Sequence, residues 1–118
     1  MSATQKALRV AAKGLIFLSE SDAPLVAVHL GDAAFAALDK TRSLTVAEFL
    51  APMATPQPWH DEIERKGAER FQNLAAKLAA LDGALAYRQG DGPEIEVYIV
   101  GKDPAGGYTG VRTRLTET

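Results

Sequence analysis

The chain has 118 residues, with 13 lysines and arginines, 15 aspartates and glutamates, a formal net charge of −2 and no cysteine. This length fits a single domain over residues 1–118 and allows a buried core without cross-links. The lack of cysteine excludes disulfides, thiol catalysis and thiolate metal sites. The slightly acidic balance gives no electrostatic basis for direct binding of nucleic acid. No apolar run approaches about 18 residues and no secretory signal is recognisable, so we expect no membrane span.

The first third of the sequence predicts a helix, a short apolar run and a strand. Ser2 opens a capping box ahead of an apolar stripe, and Gly14 predicts the end of this helix. Residues 15–18 are apolar and lead directly into the acidic segment 19–22, SESD. Residues 24–30 then form a strand candidate that is closed by a Gly-Asp pair.

The middle of the chain predicts two further helices. Residues 33–37 fit either a short helix or an apolar connector, and the pattern does not decide between them. Thr45 opens a second capping box, after which a proline-rich stretch, 52–58, ends at Trp59. A long helix is then predicted by apolar positions at steps of three or four, with carboxylates in the first turn that complement the helix dipole. These positions are Ile63, Gly67, Phe71, Leu74, Leu78 and Leu81.

The last third predicts a strand at 85–89 and then a long β-hairpin. Strands at 93–100 and 108–115 flank a glycine-rich loop, and each alternates apolar with polar side chains. A turn centred on Pro104 would set acid opposite base and apolar opposite apolar. The expected cross-strand pairs are Glu96–Arg112, Glu94–Arg114 and Val97–Val111. Together the elements predict an α+β fold, with helices covering an antiparallel sheet.

Only three residues follow the last predicted strand, so the sheet would hold the chain end in place. Most termini fray, whereas Thr118 would present its hydroxyl and carboxylate at a defined position. Both groups are oxygen ligands of the kind that magnesium binds.

The sequence offers little for catalysis. Its histidines are His29 and His60, and Ser19 and Ser21 lack the flanking glycines of a nucleophile elbow. No spacing of His, Asp and Glu predicts a metal site. The glycine-rich segment 103–107 lacks the strand–loop–helix context and the lysine of a phosphate loop. We therefore expect no catalytic residue and no cofactor.

Two features allow both an ordinary and a functional interpretation. The segment around Glu20 is either a turn that caps its own backbone amides or an acidic finger for a partner's arginine, and the residues alone favour the turn. Trp59 would usually belong to a core. Its position between a proline-rich loop and an acidic helix start also fits an exposed interface anchor.

Three stretches of the chain resemble the nuclease A inhibitor family, both in their residues and in their order along the chain. They are residues 14–24 (GLIFLSESDAP), 55–59 (TPQPW) and 97–107 (VYIVGKDPAGG), the last continuing to 116–118 (TET). The resemblance spans nearly the whole chain. It implies an α-β-α sandwich with a central antiparallel sheet, like that of pathogenesis-related protein 1. It also implies a small cytoplasmic, monomeric inhibitor of a metal-dependent, sugar-non-specific nuclease of the DNA/RNA non-specific endonuclease type.

The same resemblance implies which residues bind the nuclease. Glu20 matches an acidic residue that contacts nuclease arginines, and Gln57 and Trp59 match interface positions of the family. Thr118 matches a terminal threonine that reaches the catalytic magnesium of the nuclease. The implied mechanism is a plug that occludes the nuclease active site, with no catalytic residue in the inhibitor.

Two other functions remain as alternatives. One is a binding module of the same fold with another protein or a small apolar ligand as its partner. A large enclosed apolar pocket and a buried Trp59 would support it. A hydrolase would need His29 or His60 beside Ser19 or Ser21 in a cleft.

Overall fold

The computed structural model describes residues 2–17 and 23–116. The helices are α1 (Ala3–Ala12), α2 (Asp32–Ala36), α3 (Val46–Ala54) and α4 (Glu62–Ala79). The strands are β1 (Ile16–Phe17), β2 (Ala23–Pro24), β3 (Val26–Leu30), β4 (Ser43–Leu44), β5 (Asp82–Gln89), β6 (Glu94–Lys102) and β7 (Tyr108–Thr116). All strand pairs are antiparallel, so the predicted α+β class is confirmed. No helix among the described residues is long and apolar enough to cross a membrane.

The helix starts follow local side-chain chemistry. Both predicted capping boxes are present, at Ser2 for α1 and at Thr45 for α3, and Asp61 forms a third one at the start of α4. Each side-chain oxygen accepts a backbone N–H that would otherwise lack a partner in the first helical turn. Gly14 has a φ of +77° just after α1, which confirms the predicted helix end.

The sheet differs from the prediction at its edges. Five strands lie in the order β3-β7-β6-β5-β4, and β1 and β2 form a separate two-stranded hairpin. The strand predicted at 24–30 is broken at Leu25, whose N–H donates to the carbonyl of Leu15 at 3.1 Å. The two-residue strand β4 was not predicted. The undecided segment 33–37 belongs largely to the helix α2.

The hairpin of β6 and β7 is confirmed, but its predicted register is wrong by two residues. Glu96 lies opposite Arg114 and not Arg112. The remaining pairs shift with it and are Glu94–Thr116, Val97–Thr113 and Ile99–Val111. The strands close through a five-residue loop, in which the Asp103 N–H donates to the carbonyl of Gly107 at 3.0 Å. A shift of two residues keeps every side chain on its face of the sheet, so the predicted apolar face is correct.

The core lies between one face of the sheet and three helices. Side chains of β6 and β7 alternate in burial, as a sheet covered on one face requires. The buried cluster includes Leu8, Leu50, Phe71, Leu74, Leu78, Ile95, Val97, Ile99, Val111 and Leu115. On the opposite face, Phe35 of α2 stacks on Tyr108 with ring centroids 3.6 Å apart. Of the described helices, α2 therefore lies on the face opposite to the core.

The long helix was predicted correctly, but two of the predicted positions, Ile63 and Gly67, are not among the buried core residues. Phe71, Leu74 and Leu78 are buried, whereas Ile63 is 80% exposed. Ile63 precedes Leu74 by 11 residues, about three full turns, so both point in nearly the same direction around the helix axis. The apolar stripe of α4 therefore continues to Ile63, but its side chain is not buried there.

Candidate functional site

The β1–β2 hairpin lies beside the last strand of the sheet. The Thr113 hydroxyl donates to the carbonyl of Ala23 at 3.5 Å. Ala23 and Pro24 also line a shallow groove with Arg112 and Arg114. The segment that joins β1 to β2 therefore starts and ends next to β7, a few residues before the end of the chain.

The other side of the same hairpin meets the junction between α3 and α4. A groove of about 240 Å³ separates them. Its lining residues are Ile16, Pro52, Met53, His60, Glu64, Gly67, Ala68 and Phe71. We refer to β1, β2, the turn 55–61, the first turn of α4 and the last residues of β7 together as the β1–β2 end.

The turn 55–61 is closed by the ring of His60. The Gln57 N–H donates to His60 Nδ1 at 3.1 Å, and the His60 N–H donates back to the carbonyl of Gln57 at 3.0 Å. A neutral imidazole that accepts at Nδ1 carries its hydrogen on Nε2. His60 Nε2 faces Glu64 Oε2 at 3.6 Å, one turn into α4. The ring thus joins the turn to the helix.

Trp59 is carried outward on this turn. It is 76% exposed, and its ring meets that of His60 edge to face, with centroids 6.0 Å apart. A large aromatic side chain in this position leaves apolar area in water, which a protein partner would cover. The exposure of Trp59 is the opposite of what the enclosed-ligand alternative requires.

Of the four partner-binding residues in the sequence prediction, two are described. Gln57 is half-buried and Trp59 is exposed in the same turn. Glu20 falls in the β1–β2 connection and Thr118 follows Thr116, and both lie outside the described residues. The fold brings Ile16, at the start of that connection, onto the groove that His60 also lines.

A second cluster of polar side chains lies at the opposite end of the β6–β7 hairpin. Asp103 is 5% exposed and accepts hydrogen bonds from the Ser2 hydroxyl at 2.7 Å and from the Ala105 N–H at 2.9 Å. These two bonds lower the pKa of the Asp103 carboxyl. His29 Nδ1 lies 3.9 Å from the same carboxylate.

This second cluster does not have the arrangement of a hydrolase. The Ser2 hydroxyl donates to a carboxylate and accepts the Gln5 N–H, whereas a nucleophilic serine donates to a histidine. The cluster instead ties the start of α1 to the loop 103–107. Ser19 and Ser21, the serines of the hydrolase alternative, lie outside the described residues.

Sequence reasoning missed two features of the β1–β2 end. The exposure of Ile63 left no signal, because its spacing is that of a core residue. The role of His60 in closing the turn had a weak signal, since His60 follows Gln57 by three residues between a proline-rich segment and a helix cap. A half-buried polar turn that carries an exposed tryptophan is typical of a protein-binding surface.

The fold defines an α+β protein with an antiparallel sheet, and its β1–β2 end carries an exposed tryptophan. A family model of nuclease A inhibitor-like proteins matches residues 2–118, nearly the whole chain. The chain therefore belongs to the nuclease A inhibitor-like family. No curated protein matches the sequence.

Proposed function

We propose that this protein inhibits a metal-dependent, sugar-non-specific nuclease of the DNA/RNA non-specific endonuclease type by occluding its active site. Membership of the nuclease A inhibitor-like family over residues 2–118 is the observation that carries the proposal. In this proposal the chain is a cytoplasmic monomer, works without a cofactor and is not an enzyme. We also propose that its sheet, with α1, α3 and α4 on one face and α2 against the other, is the α-β-α sandwich of pathogenesis-related protein 1.

The chemistry of the target suits an inhibitor of this composition. A nuclease site is built to hold phosphate, with cationic side chains and a hydrated divalent metal ion. An inhibitor needs carboxylates and hydroxyls in matching positions on a rigid support, with an apolar anchor beside them. In our proposal Glu20 pairs with arginines of the nuclease. Removal of one member of a buried charge pair typically costs about 2–5 kcal/mol of binding.

Thr118 has the second role in this mechanism. It follows the end of β7 at Thr116 by two residues, which limits its reach to about 7 Å from the sheet. Such a tether is long enough to enter a cleft and too short to move far from it. We propose that Thr118 replaces a water on the nuclease's magnesium, an ion that keeps several waters and takes oxygen ligands.

Gln57 and Trp59 complete the proposed interface. Trp59 supplies apolar area, and interface tryptophans are among the residues whose truncation costs most binding energy. The hydrogen bonds between Gln57 and His60 hold this turn before a partner arrives. A preformed turn loses little conformational entropy on binding.

The test is inhibition of a purified magnesium-dependent, sugar-non-specific endonuclease that cleaves plasmid DNA. We expect the wild-type chain to inhibit at a one-to-one ratio and to cleave nothing by itself. Glu20→Ala, deletion of Thr118 and a C-terminal extension should each weaken inhibition without altering the unfolding midpoint in urea. Glu69→Ala, which removes an exposed carboxylate from α4, is the matched control and should inhibit like the wild type.

Three results would contradict the proposal at different levels. Cleavage by the pure protein, lost on mutation of one of its own residues, would make it an enzyme. Equal potency of the Thr118 deletion, the extended form and the wild type would remove the terminal plug alone. Equal potency of Glu20→Ala and wild type would remove the acidic contact alone.

A further inference from the structure

Exposed apolar side chains gather at the β1–β2 end. Among the described residues, five large apolar side chains are exposed, and three of them, Ile16, Trp59 and Ile63, belong to this end. The other two, Val10 and Val26, lie on α1 and β3. Soluble proteins seldom gather such side chains in one place unless a partner covers them.

Ile63 continues the apolar stripe of α4 beyond the core. Leu74, three turns later on the same side of the helix, is fully buried. Gly67, one turn after Ile63, lines the groove that Ile16 and His60 also line. Glu64, the residue after Ile63, also lines that groove. Ile63 is therefore next to the groove along the chain, on a helix whose second half is buried in the core.

The first turn of α4 around Ile63 is acidic. It contains the carboxylates Asp61, Glu62 and Glu64, and the cations Arg65 and Lys66 follow directly after it. Glu62 meets Lys66 at 3.4 Å, an exposed pair of the kind that contributes little to stability. An apolar side chain flanked by carboxylates is complementary to a contact surface that is apolar and basic.

We propose that Ile63 is a second apolar anchor of the partner-binding surface and packs against the nuclease beside Trp59. This inference rests on the proposed function, because the occupant is the nuclease, whose phosphate-binding mouth supplies the basic surroundings. Two apolar anchors on one rigid turn and helix start give the few central contacts that dominate typical interfaces.

The experiment compares Ile63→Ala and Ile63→Leu with a control on another helix, Val10→Ala. Val10 is a β-branched, 73% exposed residue of α1, and it borders a groove with Asn73 and Lys77 in the second half of α4. The inhibition constant of each variant is measured with a purified magnesium-dependent, sugar-non-specific endonuclease on plasmid DNA. Urea unfolding and sedimentation of each variant are measured alongside.

Ile63→Ala should raise the inhibition constant about tenfold, whereas Ile63→Leu should stay within about threefold of wild type and Val10→Ala within about twofold. Neither alanine variant should lose stability, because alanine is the better helix former at an exposed position. A weaker inhibitor with an unchanged unfolding transition would therefore report a lost contact.

Three other outcomes would each contradict one part of the proposal. Wild-type potency in Ile63→Ala, with the wild type inhibiting, overturns the role of Ile63 and leaves the proposed function intact. No inhibition by the wild type overturns the proposed function and, with it, the partner assigned to Ile63. Self-association of the wild type that Ile63→Ala abolishes would assign this surface to a second copy of the chain and overturn the nuclease contact.

Discussion

Among the described residues, two histidine–carboxylate pairs lie at opposite ends of the β6–β7 hairpin, and their carboxylates differ in burial. His29 and Asp103 are 3.9 Å apart, and the Asp103 carboxylate is buried and hydrogen-bonded to Ser2 and Ala105. His60 and Glu64 are 3.6 Å apart, and Glu64 is half exposed. The buried carboxylate joins elements that are distant in sequence, whereas His60 and Glu64 lie within one local turn and helix start.

The difference shows that similar residue pairs serve different purposes in different surroundings. A buried carboxylate must keep its hydrogen bonds, because losing them leaves charge or neighbouring donors without partners. A half-exposed carboxylate such as Glu64 can exchange its partner for water at small cost. We therefore expect the Asp103 end to control stability and the β1–β2 end to control binding.

The largest expected effect is on stability, in Asp103→Ala. This change removes two hydrogen bonds to a buried carboxylate and should lower the free energy of unfolding by about 2–4 kcal/mol. Urea unfolding measures it. Asp91→Ala is the control, since Asp91 is fully exposed and lies 3.8 Å from Arg42. If both variants lose the same small amount of unfolding free energy, Asp103 does not hold the loop 103–107 and α1 together.

The next effect is on binding, in Trp59→Ala. Trp59 is largely exposed, so its truncation should leave stability nearly unchanged and weaken nuclease binding by about 2 kcal/mol. Isothermal titration with the nuclease and urea unfolding separate the two quantities. A core tryptophan would instead cost about 3–5 kcal/mol of stability. Such a loss of stability with normal affinity would show that Trp59 contributes to stability and not to binding.

A third effect is a loss of stability in acid. Hydrogen bonds from Ala105 and Ser2 lower the pKa of Asp103 in the folded state, while an unfolded aspartate has a pKa of about 3.9. The stabilisation is fully present above that value and is lost as the pH falls through the lower folded pKa. Unfolding free energies measured from pH 6 down to about pH 2.5 should show a steeper fall in the wild type than in Asp103→Asn. Parallel curves would assign the acid sensitivity to other groups.

The smallest effect is on order within the turn 55–61. His60→Asn keeps an acceptor near the position of Nδ1, whereas His60→Phe removes the acceptor for the Gln57 N–H. His60→Phe should speed hydrogen exchange at the Gln57 amide and weaken inhibition by less than about 1 kcal/mol, with Asn closer to wild type. An exchange rate at the Gln57 amide of His60→Phe that equals the wild-type rate would show that the turn does not depend on this hydrogen bond.

The sequence by itself determined the features that depend on near neighbours. The capping boxes at Ser2 and Thr45, the helix end at Gly14 and the alternation along β6 and β7 all involve residues within a few positions of each other. The family resemblance also follows from the sequence, since its motifs are contiguous. These features survive in the fold because local hydrogen bonds and side-chain periodicity do not require distant partners.

Only the tertiary structure decided what lies opposite each element. The periodicity of α4 gives a direction for Ile63 but does not show that its side chain is left exposed. The pairing of Glu96 with Arg114 depends on the closure of the loop 103–107, which shifts the register and leaves the faces unchanged. Ile16 and His60 line the same groove although they are more than 40 positions apart in the sequence. Such contacts depend on the packing of whole elements, which local patterns in the sequence do not specify.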